Sequence, residues 1–153
     1  MEPDCAARTH RSLAALLYGA AVALTAELSA RMKEAGYADV RGAHGCVFDN
    51  IEADGMRLTE LAERAGMTKQ AVGEAVTDLE RLGYAERVAD PGDGRAKIIR
   101  LTDRGHAAQR AGFQIIADIE SEWAERLGAK RVRKMRSLLI DIGAAESRPP
   151  SAA

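Results

Sequence analysis

The middle of this chain carries two short helical patterns separated by a very short connection, and a hairpin pattern follows at once. The first helix is predicted over Thr59–Gly66, with a threonine that can cap its start and a glycine that can end it. The second begins at Thr68, and its apolar residues recur at steps of three and four until Gly83. Two helices joined so tightly form a helix-turn-helix unit.

The hairpin makes this unit a winged version. Tyr84–Val88 and Lys97–Leu101 are predicted as its strands, and Asp90–Gly94 is a dense turn signal between them. A winged helix-turn-helix is typical of DNA-binding proteins, in which the second helix enters the major groove. Helix pairs followed by hairpins also occur as packing units inside enzymes and protein-interaction domains, so this pattern alone leaves those alternatives open.

Long helical patterns flank the winged unit on both sides. Apolar residues at steps of three and four predict helices over about Thr9–Glu34, Val40–Glu52, Asp103–Leu127 and Lys130–Ile142. The first of these is expected to be buried on most sides. The predicted fold class is therefore mainly α with a small β-hairpin wing.

The charge of the chain is almost balanced, with 22 Lys and Arg against 23 Asp and Glu in 153 residues. This excludes a generally basic nucleic-acid binder but allows a local basic face. Cys5 and Cys46 are too far apart for a zinc knuckle and suit a reducing cytoplasm. The apolar run Leu13–Ala26 resembles a secretory signal, but Glu2 and Asp4 remove the positive start that a signal needs. We expect a cytoplasmic protein.

The exposed start of the second helix holds the groups that a DNA-reading helix needs. Lys69 and the positive end of the helix dipole favour phosphate, and Gln70 can pair with adenine. Arg95 and Lys97 flank the hairpin tip, where an arginine can enter a narrow minor groove.

The segment from Arg57 to Gly105 resembles the core of the MarR family of bacterial winged helix-turn-helix transcriptional regulators. The matching segments are Leu58–Ala62, Met67–Val72, Leu79–Tyr84, Asp90–Lys97 and Leu101–Gly105. The resemblance implies a homodimer whose first and last helices interlock into a helical dimerisation region. It also implies a repressor that binds a pseudo-palindromic promoter site and is released by a small molecule.

The expected domain organisation follows from this resemblance and the helical patterns. In chain order we expect a disordered tail at 1–8, N-terminal dimerisation and scaffold helices at 9–52, the winged DNA-binding region at 53–105, C-terminal dimerisation helices at 106–144 and a second disordered tail at 145–153.

The resemblance assigns DNA contacts to individual residues. Arg95 matches the wing-tip arginine of the minor groove, and Asp93 matches the acid that orients it. The remaining expected DNA-binding residues are Thr68, Lys69, Gln70, Ala71, Gly73 and Lys97.

Two acids depart from the pattern, because many family members carry basic residues at the positions of Glu74 and Asp78. Residues Arg57 to Arg104 contain nine positive and nine negative side chains. We therefore expect modest phosphate affinity with a strong salt dependence. Glu74 either accepts a hydrogen bond from cytosine or points aside into solvent or toward a neighbouring arginine.

The resemblance further implies a small aromatic or anionic effector. Its candidate binding residues are Arg11, Tyr18, His44 and Phe48, although a helical histidine and two aromatic rings also suit a structural role. The competing switch is redox sensing through Cys46. The peroxide-sensing branch of the family has its reactive cysteine in a stretch that matches Leu13–Tyr18, where this chain has alanine, so Cys46 is expected to pack as a small hydrophobe.

No motif of a nucleophile, a phosphate loop or paired catalytic carboxylates is present, and the histidines lack ligand spacing. We expect no enzyme activity, no metal and no cofactor. The alternative from another functional class is a winged-helix module that binds only protein.

Overall fold

The computed structural model describes the backbone of residues 12–146 and the side chains of residues 12–143. The described residues form two compact units, one ending at Gly112 and the other beginning at Phe113. The elements in chain order are α1 (Leu13–Glu34), a 3-10 turn (Gly42–His44), α2 (Gly45–Phe48), β1 (Met56–Arg57), α3 (Leu58–Ala65), α4 (Lys69–Arg81), β2 (Ala85–Asp90), β3 (Asp93–Leu101), α5 (Asp103–Leu127) and α6 (Ala129–Glu146).

The mainly helical fold with a small wing is confirmed, and the wing is part of a three-stranded antiparallel sheet of order β1-β3-β2. Strands β2 and β3 are longer than expected, so only Pro91 and Gly92 separate them. Strand β1 was not predicted from the sequence. Two residues are too short to show an alternating pattern, and Met56 becomes a strand residue only by pairing with Ile99 of β3.

Helix α4 begins where its sequence signals place it. The Thr68 hydroxyl accepts the Ala71 backbone N–H at 3.2 Å, which is an N-cap. Val72, Val76 and Leu79 are fully buried, and burial of such a side chain contributes about 1.5–3 kcal/mol. The apolar stripe therefore fixes which face of α4 remains exposed.

Helix α3 ends at Gly66, which has the expected left-handed conformation. Its predicted start is wrong. Thr59 lies inside the helix, because α3 already begins at Leu58, and the Glu60 carboxylate accepts the Arg57 backbone N–H at 3.0 Å.

The helix predicted over 40–52 is wrong in extent, because only a 3-10 turn and the short α2 form there. The His44 ring accepts the Arg41 backbone N–H at its start, and the Asn50 amide donates to the Cys46 carbonyl after its end. Side chains thus replace the backbone bonds that would extend the helix.

Both long terminal helices also differ at their ends from the prediction. Helix α1 begins at Leu13, because the Ser12 hydroxyl accepts the Ala15 N–H at 3.2 Å. Helix α6 runs to Glu146, so residues 145 and 146 of the expected tail are helical. The other residues of the two expected tails, 1–8 and 147–153, lie outside the described residues.

The apolar stripes of α1 and α6 are exposed in the single chain, so the burial of α1 on most sides that we expected does not occur within one chain. Leu13 is 65% exposed and Ile140 63% exposed, and the other large apolar residues in this state include Leu16, Leu17, Val22, Met135, Leu138, Leu139 and Ile142. Helix α1 is also long and apolar enough to cross a membrane, a test that signal sequences and core helices of soluble proteins pass as well. The periodicity identified an apolar face without identifying what covers it.

Tyr84 is fully buried where α4 gives way to β2. Its hydroxyl donates to Asp39 at 2.6 Å, and the Arg104 guanidinium lies 4.4 Å from its ring centre. Gly105, in the first turn of α5, lies so close that an added Cβ would be 2.0 Å from the Tyr84 carbonyl oxygen. Only glycine lets α5 start this close to the strand.

Gly105→Ala is expected to lower the free energy of unfolding by about 1–3 kcal/mol, because the methyl group would push α5 away from Tyr84. Denaturant unfolding at fixed protein concentration measures this change. The matched control is Gly73→Ala, also in a helix, whose Cβ would lie 3.6 Å from Leu58. In the control, the free energy of unfolding should rise by about 0.5–1 kcal/mol, because alanine has a higher helix propensity than glycine. Equal effects of the two substitutions would contradict the close approach.

Candidate nucleic-acid interface

The exposed face of α4 carries most of the expected DNA-binding residues. Thr68, Lys69 and Gln70 are all exposed at its first turn. Ala71 is half-buried, and its backbone N–H is bound to the Thr68 cap. Thr68 and Ala71 therefore cap the start of the helix, while Lys69 and Gln70 have side chains that reach solvent.

A cleft of about 720 Å³ runs beside this face of α4. Its lining residues are Leu58, Lys69, Gln70, Gly73, Glu74, Thr77, Asp78, Arg81 and Arg87. Leu58 and Arg87 were not predicted from the sequence, because they reach the cleft only through the packing of α3 and β2 against α4. Thr77 and Arg81, which lie on α4 itself, were also not predicted. Gly73 leaves the middle of the helix surface without a side chain.

Ion pairs within the protein divide the nine cations of Arg57 to Arg104 into two groups. Six of them pair with carboxylates: Arg57 with Asp90, Arg64 with Glu52, Arg81 with Asp78, Arg87 with Glu80, Arg100 with Glu86, and Arg104 with Asp39. Within the described side chains, Lys69, Arg95 and Lys97 make no such pair. These three exposed cations are therefore available to a phosphate backbone.

The wing is braced from its base by Arg57. Its Nε and Nη2 atoms donate to one Asp90 carboxylate oxygen at 2.8 and 2.6 Å. The Gly92 backbone N–H donates to the other oxygen at 2.8 Å. These donors, Gly92 first and Arg57 second, hold the pKa of Asp90 below its usual value. The two-residue turn is thus fixed by a charged side chain of β1.

Asp93 shapes the backbone of the wing tip. Its Oδ1 accepts the Arg95 backbone N–H at 3.1 Å, and its Oδ2 lies 3.7 Å from Arg57 Nη2. The structure contains no ion pair between Asp93 and the Arg95 guanidinium among the described side chains. The Arg95 side chain is therefore exposed next to the turn, and Asp93 orders the strand that carries it.

Asp78 joins α4 to the segment before α2. Its carboxylate accepts bonds from the Arg41 guanidinium, from Arg81 Nη2 at 2.7 Å and from His44 Nε2 at 2.8 Å. The donors, with Arg81 as the largest influence and His44 next, hold the pKa of Asp78 far below its usual value. The expected repulsion of DNA by Asp78 is accordingly weakened by fixed positive charge.

His44 is 1% exposed, and both of its ring nitrogens are used inside the protein. Its Nδ1 accepts the Arg41 backbone N–H at 3.1 Å, so the ring hydrogen is on Nε2 and is donated to Asp78. The sequence signal for this link was absent, because His44 and Asp78 are far apart in the chain. These contacts agree with the structural role that was expected from the sequence as the alternative for His44.

The other expected effector residues have separate surroundings. Phe48 is buried, with its ring edge-on to Tyr84 at 6.3 Å, whereas Tyr18 is 74% exposed on α1. Arg11 lies outside the described residues. Cys46 is half-buried, and burial, with Asp49 second, raises the pKa of its thiol. A raised pKa reduces the thiolate form on which oxidation depends.

Comparisons of the sequence with known proteins find similar transcriptional regulators. A model of the MarR family matches residues 38–96. The HTH-type transcriptional repressor Rv2887 of Mycobacterium tuberculosis is 27% identical over 128 residues, which cover 84% of this chain and 91% of that protein.

Solved structures are similar over nearly the whole chain. The transcriptional regulator PcaV of Streptomyces coelicolor, in complex with its natural ligand, has 26% identity and a TM-score of 0.70, over 96% of this chain and 100% of that one. The repressor CouR bound to a 23-mer DNA duplex has 23% identity and a TM-score of 0.70, over 97% of this chain and 100% of that one. CouR is a protein of Rhodococcus jostii.

The Asp78 cluster makes stability depend on pH. Because the folded protein holds the pKa of Asp78 below the unfolded value of about 3.9, its contribution is complete above that pH and is lost as the pH falls below it. Wild-type protein should therefore lose stability more steeply below about pH 4 than Asp78→Asn does. Urea unfolding measured from neutral pH downward tests this.

The control for this experiment is Asp54→Asn, which changes an exposed acid that makes no ion pair among the described residues. It should keep the wild-type dependence on pH. Identical acid profiles for wild type and Asp78→Asn would contradict the role of the cluster.

Proposed function

We propose that this chain, which matches the MarR family over residues 38–96, is a transcriptional regulator of that family: a cytoplasmic repressor that binds a pseudo-palindromic promoter site as a homodimer and is released by a small-molecule ligand. The observation that carries the proposal is the set of three exposed cations, Lys69, Arg95 and Lys97, on the face of α4 and the wing. The family is one of transcriptional regulators rather than enzymes.

We infer that α4 enters the major groove and the wing reaches the adjacent backbone and minor groove. The capped N-terminus of α4 presents Lys69 and Gln70 together, so a cation for phosphate and an amide for a base edge lie side by side. Arg95 lies beyond the turn of the wing, where a guanidinium suits the negative potential of a narrow minor groove. The DNA-bound neighbour CouR supports this arrangement by analogy of fold.

The exposed apolar stripes of α1 and α6 support the proposed homodimer. Several large apolar side chains on each helix face solvent in the single chain, and large contiguous apolar surfaces on soluble proteins mark association sites. A second copy of the chain would cover these stripes. Repression by a dimer that occupies a promoter needs no further domain.

We further propose that the effector is a small aromatic or anionic molecule. The ligand-bound neighbour PcaV supports the existence of such a switch. Of the three described residues first expected to bind it, Tyr18 has the most accessible side chain, while His44 and Phe48 would have to leave contacts inside the protein.

Arg95→Ala is expected to weaken binding to specific and non-specific DNA alike, because it removes a cation from the wing rather than a base-reading group. With three free cations per protomer, a dimer should neutralise about six phosphates, and log K against log salt should have a slope of about −5. The substitution should reduce the size of this slope by about 2. Fluorescence anisotropy across a salt series measures both quantities.

Arg100→Ala is the matched control, because this exposed arginine on the same strand pairs with Glu86 at 2.6 Å. It should leave the slope within experimental error of wild type. The proposal would be overturned if wild-type protein bound no duplex at low salt, in a selection from random DNA or with its neighbouring promoter region.

Leu139→Glu is expected to convert a dimer into a monomer, because it places a charge on the exposed apolar stripe of α6. Light scattering should give twice the 16.4 kDa chain mass for wild type and the single mass for the variant. Ser137→Glu, about 200° around the same helix, is the control and should remain dimeric. A wild-type mass of one chain at micromolar concentration would contradict the proposed dimer.

A further inference from the structure

We propose that Glu74 is a positioning residue that fixes the amide of Gln70 and thereby makes α4 select adenine over guanine at one position of its DNA site. This inference rests on the proposed function, since it concerns how the same helix discriminates between bases. Glu74 itself need not touch the DNA.

The contact that carries the inference is a hydrogen bond between neighbouring turns of α4. Gln70 Nε2 donates to Glu74 Oε1 at 3.2 Å. Both side chains are exposed and line the cleft beside the helix. Among the described side chains Glu74 makes no ion pair, so Gln70 is the group that orients toward it.

The nearby arginine that could compete for Glu74 is engaged elsewhere. Arg81 donates through Nε and Nη2 to Asp78. Thr77, on the next turn, donates its hydroxyl to the Gly73 carbonyl. Because Gly73 has no side chain, the helix surface between Gln70 and Thr77 is open, and the Gln70 amide stands at its edge. Of the expected alternatives, a neighbouring arginine is not the partner of Glu74 among the described side chains; Glu74 is exposed to solvent and contacts Gln70.

Simple chemistry decides which way the amide faces. An ionised carboxylate only accepts hydrogen bonds, so the NH₂ group of Gln70, not its carbonyl oxygen, must be the part that meets Glu74. One of the two N–H groups is then occupied. The other N–H and the carbonyl oxygen remain as one donor and one acceptor.

This remaining pair matches adenine. In the major groove adenine presents the N7 acceptor beside the N6 amino donor, whereas guanine presents the two acceptors N7 and O6. An unconstrained amide can turn and offer both of its N–H groups to guanine. With one N–H held by Glu74, the Gln70 amide loses this option, and its carbonyl oxygen would face the guanine O6.

The charge of Glu74 has a separate effect that must be distinguished from positioning. A carboxylate on the DNA-facing helix repels phosphates, and this repulsion is the same for every sequence. Removing the charge should therefore raise affinity for all duplexes alike, whereas removing the acceptor should change the preference between bases. The two effects are separated by comparing Glu74→Ala with Glu74→Gln.

The experiment begins with selection of a duplex by wild-type protein from a random pool. Dissociation constants are then measured for that duplex and for versions in which each A·T pair is replaced by G·C. Gln70→Ala identifies the position that it reads. At this position Glu74→Ala should lower the adenine preference by about fivefold or more. Glu74→Gln should fall between wild type and Glu74→Ala, because its carbonyl can still accept from Gln70 whereas its own NH₂ can also donate to the Gln70 carbonyl.

A double-mutant cycle completes the test. In the Gln70→Ala background, Glu74→Ala should no longer change the preference, because there is no amide left to orient. The inference is overturned if Glu74→Ala changes all duplexes by the same factor, or if its effect on preference persists without Gln70. If wild-type protein selects no sequence at all, the proposed function fails as well, so the two failures are distinguishable.

Discussion

The carboxylate of Asp78 is the interaction on which the placement of α4 depends. Burial of Val72 and Val76 determines which face of the helix is covered, but hydrophobic burial is non-directional and does not by itself set the exact rotation of the helix or its position along its axis. Hydrogen bonds are directional. The bonds that Asp78 accepts from Arg41 and His44 therefore set the orientation of α4 relative to the segment before α2. The orientation of the helix in turn determines where its exposed side chains, such as Lys69 and Gln70, are placed.

A similar use of charge explains how a nearly neutral chain can present a basic face. Six of the nine cations between Arg57 and Arg104 are paired with carboxylates that brace the sheet, the wing and the helix ends. The residue count of nine against nine suggested that acids dilute the DNA-binding face. In the structure, most of these acids are instead bound to arginines within the protein. The cations that make no such pair among the described side chains are Lys69, Arg95 and Lys97, all exposed on α4 or the wing.

Sequence patterns predicted the features that depend on nearby residues. The cap at Thr68, the end of α3 at Gly66 and the bounds of α5 arise within a few residues, and all three are confirmed. Features that need a distant partner were missed or misplaced. Strand β1 exists only through β3, and the link between His44 and Asp78 joins segments far apart in the chain. No local pattern carries such information.

The same limit explains the exposed stripes of α1 and α6. Periodicity of three and four residues shows that one face of a helix is apolar, and nothing in that period distinguishes burial inside one chain from burial against another. The number of apolar residues is more informative than their spacing. A single small domain does not cover the leucines of both helices, so the stripes are better explained by association than by the core of one chain.

Glu74 and Asp78 lie one turn apart on α4, and the sequence alone does not distinguish them, because both are acids that would repel phosphate. Their partners give them different consequences. Positive groups surround the Asp78 charge, so its field at the DNA surface is weak. The Glu74 charge has no such partner among the described residues, and it must reduce affinity for every sequence. Because specificity is a difference between affinities, a uniform loss leaves discrimination unchanged, while a fixed Gln70 amide increases it. An acid on a DNA-reading helix can thus lower affinity and raise specificity together.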